Sequence, residues 1–261
     1  MKNGIVTIQS QRQLAEGIYE MVLQWPGGEA ASGSGREGAA AETIRPGQFI
    51  NIKLEGQYLR RPISICDWTE DTITIIYKTV GRGTEQMSRM QAGETLDILY
   101  PLGNGFDLSE VDETAAKPLL IGGGVGAPPM YGLCKRLVGI GRKPIVLLGF
   151  GSTADVFYEE QFRDLGAEVI ITTEDGSRGV KGFVTDGMDG LDYDSLFACG
   201  PEWMLRAVDE RAPQDLSGQM SFERRMGCGF GACMGCSCRT KYGSKRICVE
   251  GPVLERSEII W

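Results

Sequence analysis

Cys228, Cys233 and Cys236 fall within nine residues, and Cys248 follows after eleven more, giving the order C-x4-C-x2-C-x11-C. A chain with this run must fold a tight loop around a compact object and return a distant thiolate to close it. The spacing is that of the plant-type [2Fe–2S] ligand set. Gly227, Gly229, Gly231 and Gly235 surround the thiols. Without side chains, such backbone can take positive φ, pass close to inorganic sulfides and aim N–H groups at them.

Two other readings of the cysteines stay open at this point. Structural zinc usually takes two short paired knuckles, which this spacing lacks. A disulfide knot needs an oxidising compartment, and the N-terminal residues Met1–Val6 lack the apolar core of an export signal. A cytoplasmic location is therefore expected. Cys236 and Cys238 compete for one ligand position, and the x2 spacing favours Cys236. The sequence has no histidine, which removes imidazole acid–base chemistry and imidazole metal ligands together. A net charge of −8 argues against a nucleic-acid partner, and no run reaches the roughly 18 apolar residues of a membrane span. With these groups excluded, the chemistry is expected to reside in cofactors.

Short alternating segments fill the first hundred residues: Ile5–Ser10, Ile18–Trp25, Gln48–Leu54, Ile63–Asp67, Thr72–Val80 and Thr95–Tyr100. Their turn-rich separation predicts a small antiparallel barrel. Gly27–Thr43, rich in Gly, Ala, Ser and Glu, reads as a surface loop between two of its strands. A helix is expected over Thr84–Met90, opened by Gly83-Thr84. Beyond a short charged linker, Asp107–Lys117, comes the buried-strand run Pro118–Ile121. Gly122-Gly123-Gly124-Val125-Gly126 follows, then an expected helix Met130–Ile140 and strand Pro144–Phe150. Strand, glycine loop and helix form a β-α-β unit whose loop amides suit a dinucleotide phosphate. Helix Phe157–Leu165, strand Glu168–Thr173, strand Ser195–Ala198, the turn Cys199-Gly200-Pro201 and helix Glu202–Arg211 continue the alternation. Cys66 and Cys134 read as core residues.

Arg61-Pro62-Ile63-Ser64, then Ile76-Tyr77-Lys78, then Gly83-Thr84 resemble the FAD-binding barrel of the ferredoxin reductase superfamily. The resemblance implies that Arg61 forks onto the flavin pyrophosphate, that Ser64 reaches the isoalloxazine edge, and that Cys199, Gly200 and Pro201 lie beside the nicotinamide. P-L-G-N-G-F at 101–106, E-D-G-S-x-G, and E-x-R-M-x-C-G-x-G-A-C-x-G-C with C-x-x-G-P narrow it further. Together they resemble the electron transfer subunits of type B dihydroorotate dehydrogenases over nearly the whole chain. Departures are the long Gly27–Thr43 insertion, Tyr100 at a usual glycine, and the extra Cys238.

The resulting expectation is an α+β multidomain chain. Residues 1–112 form an antiparallel FAD barrel, 113–217 a parallel Rossmann-like NAD domain, and 218–261 a small [2Fe–2S] domain. The resemblance implies Cys228, Cys233, Cys236 and Cys248 as ligands and Gly122, Gly123, Gly124 and Gly126 as the NAD loop. It also implies an FMN-containing catalytic partner subunit, in a heterotetramer with two of each chain, for NAD⁺-linked dihydroorotate oxidation in pyrimidine synthesis. Arg224, Arg225, Lys241, Lys245 and Arg246 suggest a basic docking patch, and Asp155 suggests NAD over NADP. Competing assignments are the small subunit of a ferredoxin–NADP oxidoreductase or sulfide dehydrogenase complex, and a zinc-stabilised docking module.

Overall fold

The computed structural model of the chain describes residues 1–25, 44–108 and 117–261. The Gly27–Thr43 insertion and most of the 107–117 linker lie outside the described residues.

Six strands come first: β1 (Lys2–Ala15), β2 (Ile18–Gln24), β3 (Phe49–Lys53), β4 (Arg61–Trp68), β5 (Thr72–Lys78) and β6 (Thr95–Leu102). They close into an antiparallel barrel in the order β1-β2-β5-β4-β3-β6. Period-two alternation builds it. In β5, Ile73, Ile75 and Tyr77 point inward to meet Val6, Ile8, Met21, Leu23, Ile50 and Ile98. Each such side chain contributes ~1.5–3 kcal/mol on burial. A slip of one residue would turn the whole set to solvent. Helix α1 (Arg82–Met87) starts and ends earlier than the Thr84–Met90 expected. The reason is the Thr84 hydroxyl, which accepts from the Val80 and Gly81 amides and donates to the Gly81 carbonyl, capping the turn from within.

The next elements are β7 (Pro118–Gly123), α2 (Ala127–Gly139), β8 (Ile145–Phe150), α3 (Glu159–Asp164), β9 (Glu168–Thr173) and β10 (Val180–Lys181). They are followed by β11 (Ser195–Cys199), α4 (Glu202–Arg211) and β12 (Gly218–Ser221). Helix α2 begins before Met130 because Pro128 and Pro129 occupy its first turn, where no N–H donor is required. Helix α3 starts after Phe157 because Tyr158 sits at φ 65, in left-handed backbone.

Residues 218–261 do not stand apart from this sheet. After the hairpin β13 (Ser237–Thr240) and β14 (Gly243–Arg246), β15 (Val253–Glu255) returns to pair with β12. The seven-stranded order is β10-β9-β8-β7-β11-β12-β15, parallel except for β15. Met220 and Leu254 are buried in the same core as β7 and β11, which is why these short strands join the larger sheet. The cysteine loop is thus spliced between two sheet strands.

Helix α2 seats the barrel on the sheet. A Cβ at Gly132 would stand 2.8 Å from the Cys66 carbonyl oxygen, so only a glycine lets helix and β4 approach this closely. Lys135 Nζ lies 2.7 Å from Asp67, and the Tyr158 hydroxyl donates to Glu20 Oε2 at 2.6 Å. Cys66 and Cys134 are buried, as expected.

Candidate functional site

Three constellations define the site. On the barrel, Arg61, Pro62, Ile63 and Ser64 open β4 and are half-buried. The approach of α1 to this strand is close: a Cβ on Gly83 would fall 2.3 Å from Arg61 Nε. Arg61 and Gly83, twenty-two positions apart, therefore meet. The Arg61 guanidinium donates to the Leu59 carbonyl and to Gln57 Oε1, the latter at 2.8 Å. Thr84 is buried and its hydroxyl is committed to capping. Tyr77 and Ile76 differ from the rest of the set. Tyr77 is 1% exposed and points into the barrel, where its hydroxyl donates to Gln11 Oε1 at 2.8 Å. Burial raises its pKa well above the phenol's ordinary value. Ile76 faces the core shared with α2, and Lys78 is exposed. At Tyr77 and Ile76, then, the face left toward a flavin is backbone.

The second constellation lies where the strand order reverses. Going along the chain from β7, the strands β8, β9 and β10 are added on one side and β11 and β12 on the other. Open α/β sheets bind ligands at this switch point, outside the carboxyl ends of the strands. Gly122 is paired with Cys199 across β7 and β11, so the Gly122–Gly126 loop and the Cys199-Gly200-Pro201 turn are neighbours. Their approach is close: a Cβ on Gly126 would stand 2.1 Å from the Cys199 carbonyl oxygen, and one on Gly123 2.4 Å from Met204 Sδ. Cys199 packs beside the core, and burial pushes its thiol up to about 12. That keeps it a neutral thiol at physiological pH.

Two details bear on nucleotide choice. Asp155 accepts from the Ser152 amide and hydroxyl, both at 2.9 Å, which fixes its carboxylate just past the end of β8. The 174–177 loop is tied to the same strand end through Glu174 N to Phe150 O and Thr153 N to Ser177 Oγ. It brings a basic residue, Arg178, that sequence order did not place there, but this guanidinium is paired with Glu159 at 2.8 Å.

The cysteine loop is the third. Its four predicted ligands stand as two pairs. Ala232 N and Cys233 N donate to Cys228 Sγ at 3.2 and 3.4 Å, while Cys228 N and Gly235 N donate to Cys233 Sγ at 3.4 Å each. Cys248 N donates to Cys236 Sγ at 3.4 Å. Among the described residues, no three Cys, Asp or Glu converge as ligands of a single ion. The electrostatics of the pairs differ. Burial works against ionisation of Cys228, but the amides of Phe230, Cys233 and Ala232 and the Cys233 thiol outweigh it, drawing its pKa down to about 6. Burial and the neighbouring Cys236 push Cys248 up to about 12. Two deprotonated thiols in that second pair would need cationic metal beside them. Cys236 and Cys248 are buried, and Cys233 is exposed near Phe230 and Met234 at the loop tip. Cys238 is a half-buried β13 residue in register with Lys245, packed against the core that holds Cys236 and Cys248.

The basic patch expected here is largely neutralised. Arg224 pairs with Glu202, Lys245 with Glu258, and Arg246 with Glu250 at 3.1 Å. Lys241 Nζ donates to the Ser257 carbonyl at 2.9 Å. Glu250 is the local i+4 partner of Arg246, whereas Glu202 from α4 and Glu258 are brought to Arg224 and Lys245 by the fold.

Sequence reasoning missed Asn51 and the Glu20–Tyr158 contact. Both lie on alternating strands or turns where a polar residue reads as solvent-facing.

The family model described as the iron–sulfur cluster binding domain of dihydroorotate dehydrogenase B matches residues 223–260. The dihydroorotate dehydrogenase B (NAD(+)) electron transfer subunit of Bacillus caldolyticus is 42% identical, over 98% of this chain and 97% of its own. That of Bacillus cereus (strain B4264) is 41% identical over 100% and 99%. Among solved structures, the NADH-dependent reduced ferredoxin-NADP oxidoreductase described for flavin-based electron bifurcation superposes with a TM-score of 0.84. It is 27% identical, covering 98% of this chain and 90% of that one. Phthalate dioxygenase reductase, at 17% identity and a TM-score of 0.64 over 92% and 87%, shares the fold.

Proposed function

The chain belongs to the family of dihydroorotate dehydrogenase B (NAD(+)) electron transfer subunits, and from that premise we propose that it relays electrons between a partner catalytic subunit and NAD⁺ through one [2Fe–2S] cluster and FAD. The partner would be the FMN-containing subunit that oxidises dihydroorotate, in a complex with two of each chain. The observation that carries the reading is the arrangement of the thiols in two pairs, with backbone N–H donors aimed at sulfur, on a loop that rests against the barrel. This donor set suits two metal ions better than one.

Each constellation has a task. Cys228 and Cys233 would hold one iron and Cys236 and Cys248 the other, with Cys238 left free. Arg61, placed beside Gly83, would turn its guanidinium from Gln57 to a pyrophosphate, and Pro62, Ile63, Ser64 and the 76–78 and 83–84 backbone would line the flavin. Gly122, Gly123, Gly124 and Gly126 would pass close under a dinucleotide, with Cys199, Gly200 and Pro201 beside its nicotinamide. Asp155, and the Arg178–Glu159 pair, favour a free ribose hydroxyl over a 2′-phosphate, hence NAD. A flavin in such a site can take two electrons as hydride and pass them singly, which a nicotinamide and a [2Fe–2S] cluster cannot do for each other. No described helix is long and apolar enough to cross a membrane, and a cytoplasmic location is proposed.

The alternative of a ferredoxin–NADP oxidoreductase subunit rests on the 27% identical structure. Relatives above 40% identity over the full chain weigh against it. The test is anaerobic purification followed by absorption spectroscopy and two assays. The chain alone should show flavin and cluster bands, reduce an artificial acceptor with NADH in preference to NADPH, and leave dihydroorotate untouched. Adding the FMN subunit should establish dihydroorotate–NAD⁺ turnover. Dihydroorotate oxidation by the isolated chain, or a colourless protein, would refute the assignment.

A further inference from the structure

Strand β3 alternates between two surroundings. Ile50 and Ile52 face the barrel interior, whereas Phe49 packs with Cys236, Ile247 and Cys248 of the C-terminal segment. Asn51 shares the outward face with Phe49 and is 1% exposed. Its Nδ2 donates to the Cys228 carbonyl oxygen at 3.4 Å. Gly229, at φ +78, comes so near that a Cβ on it would stand 2.2 Å from the same nitrogen. Asn51 Oδ1 finds no donor among the described residues. Turning the amide over would set Oδ1 against the Cys228 carbonyl, acceptor facing acceptor, so the hydrogen-bond network fixes the orientation.

A leucine of similar shape would remove the buried, unpaired Oδ1, at the expense only of the donor to the Cys228 carbonyl. Packing by itself therefore does not account for an amide at this position; the donor to Cys228 does. The same residue is tied to the flavin side. Its register partner in β4 is Pro62, and its carbonyl accepts from Arg60 Nη1 at 3.3 Å. Neighbouring strands lie about 4.8 Å apart, so a single strand spacing separates Asn51 from the Arg61–Ser64 motif.

We infer that Asn51 is a positioning residue for electron transfer between flavin and cluster, holding the loop of the first thiolate against the strand beside the flavin motif. The inference rests on the cofactor assignment proposed above. Transfer between two fixed centres depends on their separation and on the match of their energies, and a loop released from β3 changes both.

The test uses the full chain carrying FAD and cluster, handled anaerobically. Asn51→Leu keeps the shape and removes the donor, and Asn51→Ala removes the same donor with a smaller side chain. NADH reduction of the flavin serves as the internal reference in each. Cluster reduction following it, read by stopped-flow absorption and freeze-quench EPR, should slow roughly fivefold or more, the consequence of losing one buried hydrogen bond. The EPR signal of the reduced cluster should shift or broaden, which a purely structural filler at position 51 would not cause. Unmodified transfer rate and EPR signal in Asn51→Leu overturn the inference. Should that variant not take up a cluster, the same two readings on Asn51→Ala decide: altered supports, unaltered overturns. An unmodified chain lacking flavin or cluster refutes the functional reading instead, and the inference falls with it.

Discussion

Gly126→Ala tests the switch-point crevice by geometry alone. The added methyl would lie 2.1 Å from the Cys199 carbonyl oxygen, 2.5 Å from its carbonyl carbon and 2.9 Å from Gly200 N. All three are backbone atoms of the turn between β11 and α4, so no side chain can rotate aside. Gly126 has ordinary right-handed backbone, φ −80, so alanine suffers there from crowding and not from its dihedral angles. Overpacking of this kind costs ~1–3 kcal/mol, and relief requires the glycine loop to part from the Cys199-Gly200-Pro201 turn. If most of that strain is released by opening the crevice, NADH binding weakens by about 5- to 150-fold. Thermal stability should fall by about 2–4 °C for each kcal/mol that remains in the fold. Steady-state KM for NADH with an artificial acceptor reads the first effect and calorimetry the second, while flavin and cluster absorbance should persist. Gly139→Ala is the control, since its methyl meets nothing within 4 Å in the last turn of α2. It should be neutral or stabilising by about 0.4–1 kcal/mol. A Gly126→Ala protein with unaltered KM and melting temperature would refute the crowding argument and, with it, the placement of the nicotinamide site.

Replacing Cys228, Cys233 or Cys236 with serine should abolish the cluster absorbance and leave FAD bound, whereas Cys238→Ser should keep both; loss of the cluster in Cys238→Ser would reassign the third ligand. Arg61→Ala removes a charge-assisted pair worth roughly 1.5–3 kcal/mol, and FAD affinity, followed by fluorescence on dilution, should drop about ten- to a hundredfold. Tyr158→Phe deletes the donor to Glu20 and should lower stability in denaturant titrations near neutral pH by roughly 1.5–3 kcal/mol, the range for bonds to a charged group. Although burial opposes the Glu20 charge, Arg12 and Tyr158 together hold its pKa below the ordinary carboxylate value. That contribution is present above the unfolded pKa and lost as pH falls through the folded one. The gap between Tyr158→Phe and the unmodified chain should therefore close in acid, and a gap independent of pH would sink the argument.

Much of this chain is legible in one dimension because its signals are local. Strand alternation such as Ile73–Ile75–Tyr77 is a period-two pattern, and the C-x4-C-x2-C run is a loop whose ligands are sequence neighbours. Helix limits differ by a few residues where a side-chain cap or a single backbone dihedral decides them, neither of which apolar periodicity reports: the Thr84 hydroxyl for α1, the left-handed Tyr158 for α3. Alternation told that Tyr77 belongs to a strand but not that its ring would turn into the barrel.

What the amino-acid order determined by itself was the set of parts: barrel, nucleotide loop and thiolate run, each specified by residues close together along the chain. Only the tertiary structure decided how they meet. The pairing of Gly122 with Cys199, the seat of Gly83 on Arg61, the ion pairs that neutralise Arg224 and Lys245, and the reach of Asn51 to Cys228 all join residues distant in sequence. Local propensity carries no information about such contacts. They arise when the sheet closes with β12 and β15 at its end, since burying Met220 and Leu254 there draws the thiolate loop back onto the barrel.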